Sequence, residues 1–266
     1  DPLRIAIAGL GNVGSGTVQL IIQNGDLLSK RTGRAIKISS ISARDKNKDR
    51  GFSTADMTWF DDPVTMARDS KADVVVELIG GEGGIAKEVC EEALKSGKHV
   101  VTANKALLAV NGESLVSLAE SNNLILNYEA AVAGGVPIVK AIREGLAGNN
   151  IKRIYGILNG TCNYILTEMR TQRLAFNDVL LEAQKLGYAE AEPSMDVDGI
   201  DTSQKLCLLS SLAFGTKINF LGVYTEGIRR ISLLDIDYAE ELGFRIKLLG
   251  SAQRIGEGIE QRVYPC

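Results

Sequence analysis

Among the 266 residues there is one histidine, one tryptophan and only five prolines. A lone histidine leaves acid–base chemistry of that kind a single candidate, His99, and its place at the start of an apolar strand predicts a structural role. The four cysteines, Cys90, Cys162, Cys207 and Cys266, show no C-x-x-C spacing, and the first three fall inside helical patterns. That excludes a cysteine-built zinc site and points to reduced thiols, hence a cytoplasmic protein. Cys162 as a nucleophile would need a base that the sequence does not place near it. No apolar run approaches the roughly 18 to 20 residues of a membrane span. The N-terminus opens on a strand with no charged-then-apolar leader, so export and a membrane partner are not expected. A net charge of -3 without a long basic run argues against nucleic acid as a partner.

What the chain does have is glycine, 28 of them, and the first three carry a pattern. Leu3 to Gly9 is a short apolar run of the kind buried in a parallel sheet, and it leads directly into GLGNVG, with Gly9, Gly11 and Gly14 around Asn12 and Val13. A helical pattern through Leu20 to Leu28 follows, then a second strand at Ile36 to Ala43. This is the context in which G-x-G-x-x-G binds a dinucleotide. One glycine makes the tight turn, the next admits a pyrophosphate to free N–H groups, and the third lets helix pack on strand.

The end of the second strand reads the ribose. Arg44 there suits a 2′-phosphate and predicts NADP, while Asp45 beside it keeps NAD open. Further strands at Val74 to Leu78, His99 to Thr102 and Leu124 to Tyr128, separated by helical stretches, complete a doubly wound α/β order. Ligands bind outside the carboxyl ends of such strands, which singles out the loop at Gly80 and the turn at Lys105. A solvent-reaching lysine at a helix start is the competing reading of Lys105.

Tyr128 to Val139 links the halves, with Pro137 in the first turn of a helix running to about Ala147. It reads equally as a glycine-rich hinge or as a loop whose carbonyls and Glu129 hold a hard cation. The second half begins with a strand, Lys152 to Leu158. Asn159, Thr161 and Asn163 then stand where a substrate could be bonded, or where one of them caps a helix. A helix opened by Asn177 runs to Leu186 and is ended by Gly187. Glu190, Glu192, Asp196, Asp198 and Asp201 follow, and then Lys205, one helical turn after Asp201. A solvated acidic loop with a surface ion pair is the plain reading of this stretch. The predicted helices Leu206 to Phe214 and Asp235 to Leu242 precede two strands, Lys247 to Arg254 and Glu260 to Tyr264, joined by Gly256-Glu257-Gly258.

Taken together, GLGNVG, ELIGG at 77 to 81, TANKALLA at 102 to 109, YEAAVAGGVPI, LNGTCNYIL at 158 to 166 and GYAEAEPSMDVDGIDTSQKL resemble homoserine dehydrogenase along nearly the whole chain. The resemblance implies an α/β fold in which an N-terminal Rossmann doubly wound parallel sheet, 1–140, binds NAD(P). An α+β substrate and dimerisation domain, 141–266, follows. It implies reversible exchange of L-homoserine and L-aspartate 4-semialdehyde in threonine and methionine biosynthesis, by a homodimer. It also implies Lys105 and Lys205 as catalytic lysines with Asp201 as a site carboxylate, Glu190 and Asp196 at the substrate, and Glu129, Val132, Gly134 and Val136 around sodium or potassium. Family members continue past the last strand, so the second domain is expected to be truncated. Two alternatives compete. A phosphorylating semialdehyde dehydrogenase would need a cysteine with a histidine partner, and a non-catalytic NAD(P)-binding redox sensor would have no use for two lysines and several acids.

Overall fold

Strand β1 (Leu3–Ala8) has its last four residues buried, as a strand covered on both faces must. It lies inside a parallel sheet with β2 (Ile36–Ser42), β3 (Thr58–Phe60), β4 (Val74–Glu77), β5 (His99–Thr102) and β6 (Leu126–Asn127), in the order β3-β2-β1-β4-β5-β6. The order reverses at β1, the arrangement of a Rossmann-type sheet, with its crevice at the carboxyl ends of β1 and β4. Ile5, Ile7, Leu10, Val18, Ile38 and Ile41 form a buried cluster on this sheet. The structure is a computed structural model describing residues 1–266, and its contacts resolve into two units, Asp1–Ile138 and Val139–Cys266.

The helices of the first unit are α1 (Asn12–Gln23), α2 (Gly25–Thr32), α3 (Pro63–Asp69), α4 (Ile85–Lys95), α5 (Lys105–Ser121) and the single turn α6 (Glu129–Val132). The helical pattern expected to run unbroken through Leu28 is split at Asn24. Its side-chain amide donates to the Leu20 carbonyl at 3.1 Å, which ends α1 before Gly25 begins α2. Strand β3 has no counterpart in the sequence pattern, because it is three residues long and partly exposed.

In the second unit the sheet is mixed. β7 (Arg153–Gly156), β8 (Tyr224–Thr225), β9 (Leu248–Ile255) and β10 (Gly258–Pro265) run in the order β7-β9-β10-β8, with β9 antiparallel to both neighbours and β8 parallel to β10. The β9–β10 hairpin pairs Gly258 with Ile255, so its loop is Gly256 and Glu257 alone. Gly256 takes a φ of 56 there, the left-handed backbone such a tight hairpin requires.

At the unit boundary α7 (Ile138–Lys140) passes into a π-helical stretch, Ala141–Gly145, closed by the Leu146 amide on the Ala141 carbonyl at 2.8 Å. Further along are α8 (Gly160–Gln172), α9 (Phe176–Lys185), α10 (Ser194–Val197), α11 (Ile200–Phe214) and α12 (Leu233–Glu241). α9 starts at Phe176, which is buried, and so Asn177 sits in its first turn instead of capping it. Asp235 likewise lies inside α12, where it and Ser232 form a reciprocal capping box. α11 is buried on most of its surface, and Gly250 on β9 is the reason it can approach the sheet so closely. A Cβ on Gly250 would stand 2.9 Å from Leu158 Cδ1 and 3.5 Å from Leu206 Cδ1.

Candidate active site

The three glycines of the first turn have separate causes. Gly9 takes a φ of 97, and a Cβ there would lie 2.6 Å from the Leu78 carbonyl oxygen, so strand β4 requires glycine at this position. A Cβ on Gly14 would lie 1.9 Å from the Gly9 carbonyl oxygen, while one on Gly11 would meet nothing within 4 Å. Gly9 and Gly14 therefore close the turn, whereas Gly11 leaves the start of α1 open, and no side chain caps that helix. A bare helix N-terminus facing open space presents N–H groups to an anion. Asn12 and Val13 form the exposed first turn behind it.

A cleft of about 680 Å³ opens at this point. Gly9 and Gly11 line it together with Arg44, Asp45, Lys48 and Arg50 from the segment after β2, so Arg44 shares one cavity with the glycine turn. Arg50 holds that segment in place. Its guanidinium donates to the carbonyls of Leu10 at 3.3 Å, Lys48 at 2.8 Å and Asp45 at 2.5 Å, and it stands 5.9 Å from the centre of the Trp59 ring. Gly80 and Lys105 are not in the lining of this cleft. Gly80, at φ 90, lies in the loop after β4, and Lys105 is the first residue of α5, which Asn104 caps through the Leu107 amide at 3.1 Å. His99 Nδ1 accepts from the Ile125 amide at 3.0 Å, a structural bond between neighbouring strands.

In the second unit the acidic stretch separates into pairs. Asp198 is held by Arg229, whose guanidinium also donates to Ser194. Glu192 accepts from the amide and hydroxyl of Ser194, which hold its carboxyl below the usual range. Asp201, only 7% exposed, accepts from Lys205 Nζ at 2.8 Å, and the same ammonium donates to the Leu158 carbonyl at 2.9 Å. The Asn159 side-chain nitrogen donates to Asp201 at 3.0 Å and to Asp196 at 2.7 Å, while its oxygen caps α8 at the Cys162 amide. Lys205, Asp201, Asn159 and Asp196 thus form one chain of hydrogen bonds. Glu190 stands apart from it, exposed on the segment before α10.

This geometry excludes the plain solvated-loop reading for Asp201 and Lys205. An ammonium bears three N–H donors, and two are committed to Asp201 and Leu158, which aim the third. Cys162 is inert: burial, and then the nearby carboxylates of Asp196, Asp201 and Asp198, push its thiol up to about 12. The residues proposed around a cation lie on α6 and the turn after it, where Glu129 and Val136 carbonyls already accept from Ala133 and Ile138. No group of three or more histidine, cysteine, aspartate or glutamate side chains is placed to hold a metal ion. Sequence reasoning missed Arg50, Arg229 and the bridging role of Asn159. It also passed over Glu77, a wholly buried acid ending the apolar run Val74 to Val76, and that oddity was the one available signal.

A Rossmann-type sheet with a glycine-turn cleft, joined to an α+β unit in which a half-buried lysine pairs with a buried aspartate, defines the class of two-domain dinucleotide-binding proteins. Two family models match within it: the homoserine dehydrogenase NAD binding domain over residues 9–129 and homoserine dehydrogenase over 137–266. The homoserine dehydrogenase of Neisseria gonorrhoeae is 51% identical over 99% of this chain. A solved homoserine dehydrogenase from Thiobacillus denitrificans is 46% identical with a TM-score of 0.94, covering 100% of this chain and 61% of that one. A protein solved under the same family name from Archaeoglobus fulgidus is 35% identical with a TM-score of 0.86, covering 99% of this chain and 83% of that one. The chain belongs to the homoserine dehydrogenase family. It spans 60% of the length of the Neisseria protein.

Proposed function

We propose that this chain carries out NAD(P)-dependent interconversion of L-homoserine and L-aspartate 4-semialdehyde, a step in making threonine and methionine. The observation that carries the reading is the half-buried Lys205 ammonium paired with the buried Asp201 carboxylate and held by the Leu158 carbonyl, with Asn159 on the other side of Asp201. Reducing an aldehyde leaves a developing alkoxide that needs a positioned proton and positive charge, and an ammonium with one aimed N–H supplies both. In the other direction the same group takes the proton as the alcohol is oxidised. Glu190 is assigned to the substrate ammonium, Asp196 to the pocket, and Lys105 to a second catalytic role.

The glycine turn fits a dinucleotide, because the position open to a Cβ is the one beside the uncapped start of α1. Gly9, Gly11, Asn12, Val13 and Gly14 would hold the pyrophosphate, Gly80 and Lys105 would serve the nicotinamide end, and Arg44 would favour NADP over NAD. The bound nicotinamide supplies the hydride exchange itself. Glu129 and the carbonyls of Val132, Gly134 and Val136 are hard oxygen donors of the type sodium or potassium takes. A homodimer is supported by the outer face of the second sheet, where Tyr155, Ile157 and Tyr224 are exposed. Four free thiols support a cytoplasmic setting.

Absorbance of the reduced cofactor, followed with L-homoserine and either NADP or NAD, tests the proposal. Homoserine-dependent reduction, faster with NADP, is expected. Tight cofactor binding without turnover would favour the redox-sensor alternative.

A further inference from the structure

Glu77 is the last residue of β4 and is wholly buried. Three donors meet its carboxylate. The Ile79 and Gly80 amides reach Oε1 at 2.7 and 3.1 Å, and the Thr102 hydroxyl reaches Oε2 at 2.5 Å. None of the three is a cation. A buried carboxylate without a cation is costly, and the three valines before it show that this strand otherwise tolerates apolar residues, so stability alone does not explain an acid here. Its partners suggest another reason, since they come from the carboxyl ends of two neighbouring parallel strands, Ile79 and Gly80 from the loop after β4 and Thr102 from the last position of β5.

The bonds continue in one direction. The Thr102 hydroxyl donates to Glu77, and its oxygen accepts from the Asn104 amide at 2.9 Å. Asn104 donates from its side chain to the Gly81 carbonyl at 2.7 Å and accepts from Leu107 at 3.1 Å, which caps α5. Lys105 lies between the two anchored residues. Gly80 and Gly81 both take positive φ, a freedom that glycine loses on ordering, and the Glu77 carboxylate and the Asn104 side chain both bond this loop. Glu77 therefore fastens the glycine loop directly, and through Thr102 and Asn104 it fastens the first turn of the helix that presents Lys105.

We propose that Glu77 is a positioning residue: acting through Thr102 and Asn104, it sets the Gly80–Gly81 loop and Lys105 in register with one another at the nicotinamide end of the crevice. The proposal rests on the reading of this chain as a homoserine dehydrogenase with Lys105 in its machinery. A glutamine could not replace the acid. Its amide nitrogen would face the Thr102 hydroxyl as a donor, leaving Thr102 to accept twice with its own proton unplaced in a buried site.

Three variants of the full chain test this: Glu77→Gln, Thr102→Val and, as the conservative control, Thr102→Ser. Each is measured for thermal unfolding, cofactor Kd, kcat, KM for homoserine, and amide hydrogen exchange at residues 79 to 107. Misplacing a catalytic group by about 1 Å costs up to about 100-fold in rate, so Thr102→Val is expected to lower kcat about 10- to 100-fold with cofactor Kd and KM within about threefold of the parent. Thr102→Ser should return kcat to near the parental value. Glu77→Gln should lower kcat similarly and speed exchange of the Ile79 and Gly80 amides; should it fail to fold, Thr102→Val still decides. A folded Thr102→Val with parental kcat overturns the proposal, as does failure of Thr102→Ser to restore it. Amide exchange separates the two levels. A parent that never turns over homoserine refutes the underlying reading, and the proposed fastening is then judged by whether exchange at Asn104 and Leu107 quickens in Thr102→Val; unchanged exchange overturns it too.

Discussion

The side-chain nitrogen of Asn159 donates to the Asp201 carboxylate at 3.0 Å and, from the same atom, to Asp196 at 2.7 Å. One neutral amide thus separates two acids that would otherwise repel each other, and it leaves the Lys205 bond to Asp201 undisturbed.

Asn159→Asp tests that bridge with the helix cap kept, because a carboxylate oxygen can still cap α8 at Cys162. The variant loses a shared donor and sets a third acid against two. A loss of about 1 to 3 kcal/mol of stability at pH 7 is expected from denaturant unfolding, the scale for a buried polar group left without its partner. Parental stability would mean that Asn159 is not what keeps the two carboxylates apart.

Arg50 holds the carbonyls of Leu10, Asp45 and Lys48 together along one wall of the cleft. Replacing it with Met keeps an apolar stem of similar length but removes the guanidinium, its three carbonyl bonds and its place beside Trp59, and so frees the segment that carries Arg44. Calorimetric titration should show NADP affinity falling by about tenfold, or about 1.4 kcal/mol. An unchanged Kd would show that the segment is held by other contacts.

Burial pushes the thiols of Cys162 and Cys207 up to about 12 and that of Cys90 higher still. Only the thiolate reacts with alkylating agents. Mass spectrometry of native protein treated with iodoacetamide at pH 8 should find Cys266, the exposed one, modified first, and all four modified after unfolding. Rapid modification of Cys162 in the folded protein would reopen the nucleophile reading.

The acid limb of stability has identifiable sources. Asp62 is held below its ordinary 3.8 chiefly by the Thr65 hydroxyl, and Asp235 below the same value chiefly by the Ser232 hydroxyl. In both cases the folded pKa is the lower one, so the unfolded chain takes up protons first. The stabilisation is complete above the unfolded value and is lost as pH falls through the folded value. Asp235→Asn should accordingly melt below the parent at pH 7, with the gap closing as the pH falls below the ordinary 3.8. A gap independent of pH would place the effect in packing instead of charge.

Local pattern made much of this legible. The strand, glycine turn and helix at Leu3 to Gln23, the change to helix after Gly199, and the closing hairpin all follow from short-range periodicity and turn chemistry. The order of the strands did not, and neither did β3, whose three residues carry too little pattern to stand out. Asp201 and Lys205 could be paired from sequence because they lie one helical turn apart. Asn159 could not be joined to them, because its acceptors lie 37 and 42 residues further along and only packing of α8 against α10, and of α10 against α11, brings them near. Glu77 was hidden for the same reason, since Thr102 comes from the next strand of the sheet.

The most direct measurement is kcat for homoserine oxidation in Lys205→Met, taken beside cofactor Kd in the same variant. Methionine keeps the apolar stem but removes the ammonium bonded to Asp201 and Leu158. A fall of about two to four orders of magnitude, with Kd and fold retained, is the predicted result for a positioned acid that also stabilises an oxyanion. Turnover within about tenfold of the parent, a barrier change of only about 1.4 kcal/mol, would contradict the assignment and pass the proton to Lys105.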